Sequence, residues 1–181
     1  MNTQPRTAWQ YFAPPCHWAT DTGRNAATKE KIVNFIDANS QTLRGLLIHG
    51  NFRTGKTRIA LDIIEPRYRS GRDSEFLEWT KFTRLSTGFD NTKKLDELVM
   101  RCKSVDILLI DDMLCSTPSH ATLNAALEII SHRIDHAKTT IITSNHSIET
   151  MLGIGSLSCK LTMNYIAARL KSEYALFEVK A

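Results

Sequence analysis

The chain has 181 residues, 42% of them hydrophobic and 23% charged, with a net charge of +4 and a pI near 8.9. That balance describes one globular domain of ordinary size, able to bury its own core without disulfide staples, and mildly enough basic to accept a polyanionic partner. No apolar run approaches a membrane span, the start Met1-Asn2-Thr3-Gln4-Pro5 lacks a signal peptide's basic and apolar regions, and Cys16, Cys102, Cys115 and Cys159 show no C-x-x-C spacing, so a cytoplasmic protein with reduced thiols and no membrane contact is expected.

Residues 1–24 carry Trp9, Tyr11, Phe12, Trp18 and the pair Pro14-Pro15, and read as an irregular arm with aromatic anchors ahead of a core over 25–181. From Ala26 to Asn39, Ile32, Val33, Phe35 and Ile36 recur at helical spacing. A short apolar run, Leu46-Leu47-Ile48, then leads into Gly50-Asn51-Phe52-Arg53-Thr54-Gly55-Lys56-Thr57, which fits G-x-x-x-x-G-K-[ST] without a mismatch. Average residue usage gives such a match somewhere in a chain of this size a chance probability of roughly 0.01. The apolar face Ile59, Ala60, Leu61, Ile63 and Ile64 predicts a helix directly after the loop, stopped by Pro66.

A basic turn over 67–72 leads to a strand over 76–79. Leu95, Leu98, Val99 and Cys102 mark an amphipathic helix, and residues 105–110 a buried strand that ends in Asp111-Asp112. Thr117-Pro118 starts a helix with proline at its first position, and Leu123, Leu127, Ile130 and Ile134 trace its apolar face. Residues 138–143 form a fourth strand, 163–172 a helix and 175–179 a fifth strand. Strands alternate with helices throughout, which predicts an α/β fold: a five-stranded parallel sheet with helices on both faces.

A glycine-rich loop at a helix N-terminus turns backbone N–H groups towards phosphates. Lys56 would reach the β and γ phosphates of ATP, and Thr57 would place its hydroxyl on Mg²⁺. Such a site also needs a carboxylate at the carboxyl end of a neighbouring buried strand, where open α/β sheets bind ligands. Asp111 would hold the metal through its water shell, and Asp112 would polarise the attacking water. Asn145, at the end of the fourth strand, can touch the γ-phosphate or orient that water; a strand-ending turn explains it equally well. The histidines show no metal-ligand spacing.

In order and spacing, GNFRTGKT, ILLIDD, TIITSN and AARL resemble the AAA+ ATPases, and specifically the DnaC-like helicase loaders and their IstB-like transposition relatives. The resemblance runs from about residue 25 to 179. It implies a P-loop NTPase fold of AAA+ type, with residues 50–57 as the Walker A loop and Asp111 and Asp112 as the Walker B acids. Asn145 becomes sensor 1. Arg169, in a turn after a helix, becomes the arginine finger that reaches a neighbouring subunit's nucleotide, and Arg133 sits where the family often carries another arginine. The chain ends at Ala181, just after the fifth strand, so the helical lid with its second sensor is expected to be absent or vestigial. With so short an arm, a separate helicase-binding domain is likewise expected to be absent.

The expected function is that of a slow, assembly-dependent ATPase acting on a DNA replication complex as a helicase loader or ATP-gated adaptor, with the replicative helicase or another DNA-processing protein as partner. Single-stranded DNA contact through the basic turn and an ATP-dependent homo-oligomer fit the same picture. The alternatives are an IstB-like transposition helper, an assembly module that binds ATP without hydrolysing it, and a P-loop kinase. A kinase needs an arginine-rich lid between the third and fourth strands, where this chain has an apolar-faced helix with Arg133 near its end.

Overall fold

The computed structural model describes residues 26–39, 44–88, 91–154 and 156–180. The aromatic residues of the amino-terminal arm and Cys16 lie outside them. Among the described residues twelve elements follow in order: α1 (Ala26–Ala38), β1 (Gly45–His49), α2 (Lys56–Arg69), β2 (Ser74–Glu78), α3 (Trp79–Thr87), α4 (Thr92–Ser104), β3 (Ile107–Met113), α5 (His120–Asp135), β4 (Thr139–Ser144), α6 (Ile148–Met151), α7 (Leu157–Glu173) and β5 (Tyr174–Glu178). The strands form one sheet in the order β2-β3-β4-β1-β5, every pair parallel.

A strand's side chains alternate between faces, so a parallel strand covered on both sides reads as a continuous apolar run. The runs Leu46-Leu47-Ile48 and Ile107-Leu108-Leu109-Ile110 divide in this way. Leu47, Leu108, Ile110 and Ile142 enter a core shared with Trp79, Phe82, Val99, Leu123, Ile130, Met163 and Ile166 from α3, α4, α5 and α7. Leu46, Ile48, Ile107, Leu109 and Ile141 face α1 and α2, where Ile32, Ile36, Ile59, Ala60, Ile63 and Ile64 cover them. The three layers put the carboxyl ends of β1, β3 and β4 along one edge, and the site lies there.

Several local expectations change. Helix α5 starts at His120, not at Pro118; Ser119 is its N-cap, and its side chain accepts from Thr122 N. Helix α2 runs past Pro66 to Arg69. The proline is exposed near the end of the helix, where only one late backbone bond is lost, and Arg67 Nη1 folds back to donate to Ile63 O at 2.8 Å. Trp79 opens α3 rather than closing β2. It enters the same core as Leu77, so the apolar alternation of β2 continues across the strand end into the helix. Arg169 sits inside α7, as the helix expected over 163–172 has it, and not in the turn that the family resemblance implies.

Candidate nucleotide site

The phosphate loop leaves the carboxyl end of β1, which lies between β4 and β5. Gly50 N donates to Ser144 O of β4 at 3.2 Å, and Val179 N, just past β5, donates to His49 O at 2.7 Å. Gly50 has φ 147°, and a Cβ there would stand 2.2 Å from Val179 O, so only glycine fits. Arg53 and Gly55 also adopt left-handed backbone, with φ 59° and 84°. These reversals curl the loop over the start of α2. That helix begins at Lys56 with Gly55 as its N-cap and no side-chain cap. Its first N–H groups therefore have no intrahelical acceptor and suit an anion.

Lys56 is 7% exposed. Its ammonium donates to Gly50 O at 3.0 Å, Asn51 O at 2.7 Å and Asn145 Oδ1 at 2.8 Å. Burial lowers its pKa, and the charges of Asp112 and Asp111 oppose that shift. Thr54 Oγ1 closes the loop on Asn51 O at 2.9 Å, while Phe52 stands out of it, exposed.

The two acids arrive from β3. Thr57 Oγ1 donates to Asp111 Oδ1 at 2.8 Å, and Thr143 Oγ1 of β4 donates to the same oxygen at 2.7 Å. Burial raises the pKa of Asp111, against the lowering by these hydroxyls. Asp112 reaches the same place through a bulge. The β3–β4 register jumps between Ile110 and Met113, and Asp112 has φ 55°. In a regular strand consecutive side chains point to opposite faces; the bulge re-aims the second acid. Asn145 Nδ2 then donates to Asp112 Oδ1 at 2.7 Å. Lys56, Thr57, Asp111, Asp112 and Asn145 thus form one hydrogen-bonded cluster at the sheet edge, with Thr143 as a sixth member that the sequence reading had not singled out.

The cluster suits a magnesium-bound triphosphate. Thr57 gives its hydrogen to Asp111 and so keeps its lone pairs for a cation. A buried ammonium and an uncapped helix start offer positive potential for the phosphates. Among the described residues no group of three or more His, Cys, Asp or Glu is placed to hold a metal ion alone.

The two arginines do not join this cluster. Arg133 is wholly buried. Its guanidinium donates to Thr140 Oγ1, Cys102 O, Val105 O, Asp106 O and Thr139 O at 2.6–3.2 Å. It clamps the end of α4 to the starts of β3 and β4, and no neighbouring subunit can meet it. Arg169 is half-exposed and donates to Asp135 Oδ1 at 2.9 Å. The basic turn at the end of α2 lies at the opposite edge of the sheet from the phosphate loop. There Arg67 and Arg72 border a cavity of about 320 Å³ with Leu46, Asp106, Ile107 and Thr139 at the strand starts.

Residues 19–154 match the family described as IstB-like ATP binding protein. The chain belongs to that family. The fold is similar to the solved structure of DnaI (19% identity, TM-score 0.71, covering 84% of this chain and 81% of that one). It is also similar to the DnaC helicase loader (21% identity, TM-score 0.65, covering 83% and 89%). A third likeness is to the replication initiator DnaA bound to AMPPCP and single-stranded DNA (19% identity, TM-score 0.70, covering 88% and 47%). The chain spans about half the length of that DnaA chain. At these identities the likeness is one of fold, that of an α/β P-loop NTPase. No curated protein matches the sequence. Among the described residues no helix is long and apolar enough to cross a membrane.

Proposed function

We propose that this IstB-like protein is a magnesium-dependent ATPase that works as an ATP-gated adaptor or loader on a DNA replication complex. The observation that carries the ATPase reading is the single cluster in which Asn145 joins Lys56 to Asp112 while Thr57 is joined to Asp111. Lys56 and the first N–H groups of α2 would hold the β and γ phosphates. Thr57 and, through water, Asp111 would hold Mg²⁺, which when bound withdraws charge from the phosphate oxygens. Asp112, kept in place by Asn145, would accept the proton of the attacking water as that water bonds to the γ-phosphorus and the bond to the departing ADP oxygen breaks.

The adaptor role is supported by the likeness to DnaI, to the DnaC helicase loader and to DnaA, together with the mild positive charge. On this reading the partner is a replicative helicase or another DNA-processing protein, with single-stranded DNA as a further ligand. ATP held between copies of the chain would make assembly depend on the nucleotide. The family description favours a second reading, a helper ATPase in transposition, which shares every residue of the site and differs in its partner. A kinase is disfavoured because Arg133, the arginine of α5, is buried and cannot serve as a lid.

Titration with a fluorescent ATP analogue tests the central claim. Lys56→Ala should weaken binding by tenfold or more, about the 1.4 kcal/mol equivalent of losing one charge-assisted hydrogen bond. Equal affinity for the variant and the wild type would remove the claim.

A further inference from the structure

The end of β4 carries a hydroxyl that serves both acids at once. Thr143 is 1% exposed. Its single hydrogen goes to Asp111 Oδ1 at 2.7 Å, and its oxygen accepts the backbone N–H of Asp112 at 2.9 Å. The second bond answers a need that the bulge creates. Register passes from Ile110↔Ile142 directly to Met113↔Ser144, so the extra residue of the bulge has no place in the regular ladder. A buried N–H without an acceptor is costly, and Thr143 Oγ1 is the acceptor.

The first bond answers a different need. Asp111 is a largely buried carboxylate whose Oδ1 is held from two sides, by Thr57 from the phosphate loop and by Thr143 from the sheet. The sheet-side bond comes from β4 and does not depend on the phosphate loop.

We infer that Thr143 is a positioning residue: through its one hydroxyl it sets the Asp111 carboxylate that serves the metal and fixes the left-handed backbone that aims Asp112 at the reacting water. The inference rests on the ATPase reading above. Partners of this kind behind a metal-binding group typically change metal affinity or activity by about 10- to 100-fold when removed.

The test uses T143V, which keeps the shape and loses both bonds, and T143S, which keeps the hydroxyl. T143A removes the hydroxyl without setting a methyl group against Asp111, and replaces T143V if that variant does not fold. Affinity for a fluorescent ATP analogue is measured in EDTA and across a Mg²⁺ titration, beside single-turnover hydrolysis. In EDTA T143V should bind as the wild type does. It should need about tenfold more Mg²⁺ for the same tightening and hydrolyse at least tenfold more slowly, with T143S restoring most of both. A merely structural threonine would lower the thermal midpoint while leaving the Mg²⁺ requirement unchanged, and that result overturns the inference. So does T143V behaving as wild type throughout. A wild type that shows no Mg²⁺-dependent ATP binding removes the functional reading and this inference with it; a wild type that binds normally beside an unaltered T143V removes the inference alone.

Discussion

Asn145 Nδ2 meets Asp112 Oδ1 at 2.7 Å across the ends of β4 and β3, so the amide fixes an acid that the backbone has already turned into a left-handed conformation. Asparagine is among the few residues that tolerate that conformation. Asp112→Asn should therefore fold as the wild type does and bind ATP with unchanged affinity. Turnover should fall by about 10²-fold or more, because an amide cannot take a proton from water. Single-turnover hydrolysis beside an ATP titration checks this. A variant that hydrolyses normally would move the proton acceptor elsewhere.

Asp111 is the acid whose placement opposes stability. Burial, chiefly, raises its pKa, and the nearby Asp112 and Glu78 charges add to the effect. A carboxyl whose pKa is higher in the folded state is held more easily protonated there than in the unfolded chain. Its favourable contribution is complete below the unfolded value and is lost as pH rises through the folded one. At neutral pH, in EDTA, Asp111→Asn should thus melt above the wild type, since an amide oxygen can still accept from Thr57 and Thr143. The gap should narrow as pH falls towards the ordinary carboxylate range. With Mg-ATP the order should reverse, because a ligand stabilises the form that binds it. Thermal melts over a pH series, with and without Mg-ATP, read all three.

Much of this was legible in the sequence, and the reasons differ by element. Four consecutive aliphatics in β3 and three in β1 can belong only to strands buried on both faces or to a buried helix, and the phosphate-loop pattern chooses the strand for β1. Spacing alone says that Asp111 and Asp112 end a strand. It does not say that both face the same site, because that follows from a bulge set by pairing with β4. Thr143 was invisible for a related reason: threonine in a strand reads as a β-former, and its hydroxyl acquires a role only when a neighbouring strand brings acids to it. Helix α3 was hidden because Thr80, Thr83 and Thr87 are weak helix formers; in the structure Thr83 and Thr87 bond back to the carbonyls of Thr80 and Thr83. Arg133 could be read as a free cation because a chain of letters does not show five acceptors converging on it.

Arg133 carries the sharpest stability prediction. Burial pushes its guanidinium pKa down to about 10, so it stays charged at neutral pH, and no carboxylate among the described residues lies within bonding distance. Its partners are four backbone carbonyls and one hydroxyl. Arg133→Met should strip five hydrogen bonds from these buried acceptors, leaving Val105 O with only the longer bond from Lys138 Nζ at 3.4 Å, at a cost of about 3–5 kcal/mol. Arg133→Lys has only three donors and should recover part of that. Both are read from urea unfolding. Where the variants remain folded, ATP affinity should be unchanged, because the clamp lies at the sheet edge away from the phosphate loop.

Arg169 poses the opposite case, a cation held only lightly. Its partner Asp135 is the last residue of α5, just ahead of β4, and Arg169 itself stands just over one turn before β5. Both therefore sit at the starts of parallel strands, whereas the phosphate loop follows the end of β1. A catalytic Arg169 would have to serve the nucleotide of another subunit. Nothing of weight holds it back, since an exposed ion pair contributes only about 0–1 kcal/mol, and Asp135→Ala should leave turnover intact. An arginine finger supplies roughly 10³–10⁵ in rate by stabilising charge on the transferring phosphoryl group. Arg169→Ala should accordingly bind ATP almost normally and be nearly inactive, and the specific activity of the wild type should rise with protein concentration. The decisive experiment mixes two inactive proteins, Arg169→Ala and Asp112→Asn. At some mixed interfaces the first brings an intact acid pair and the second an intact arginine, so hydrolysis should reappear. Mixtures that sizing shows to form joint oligomers, yet that stay inactive, would confine Arg169 to its surface pair with Asp135 and remove the assembly-gated mechanism.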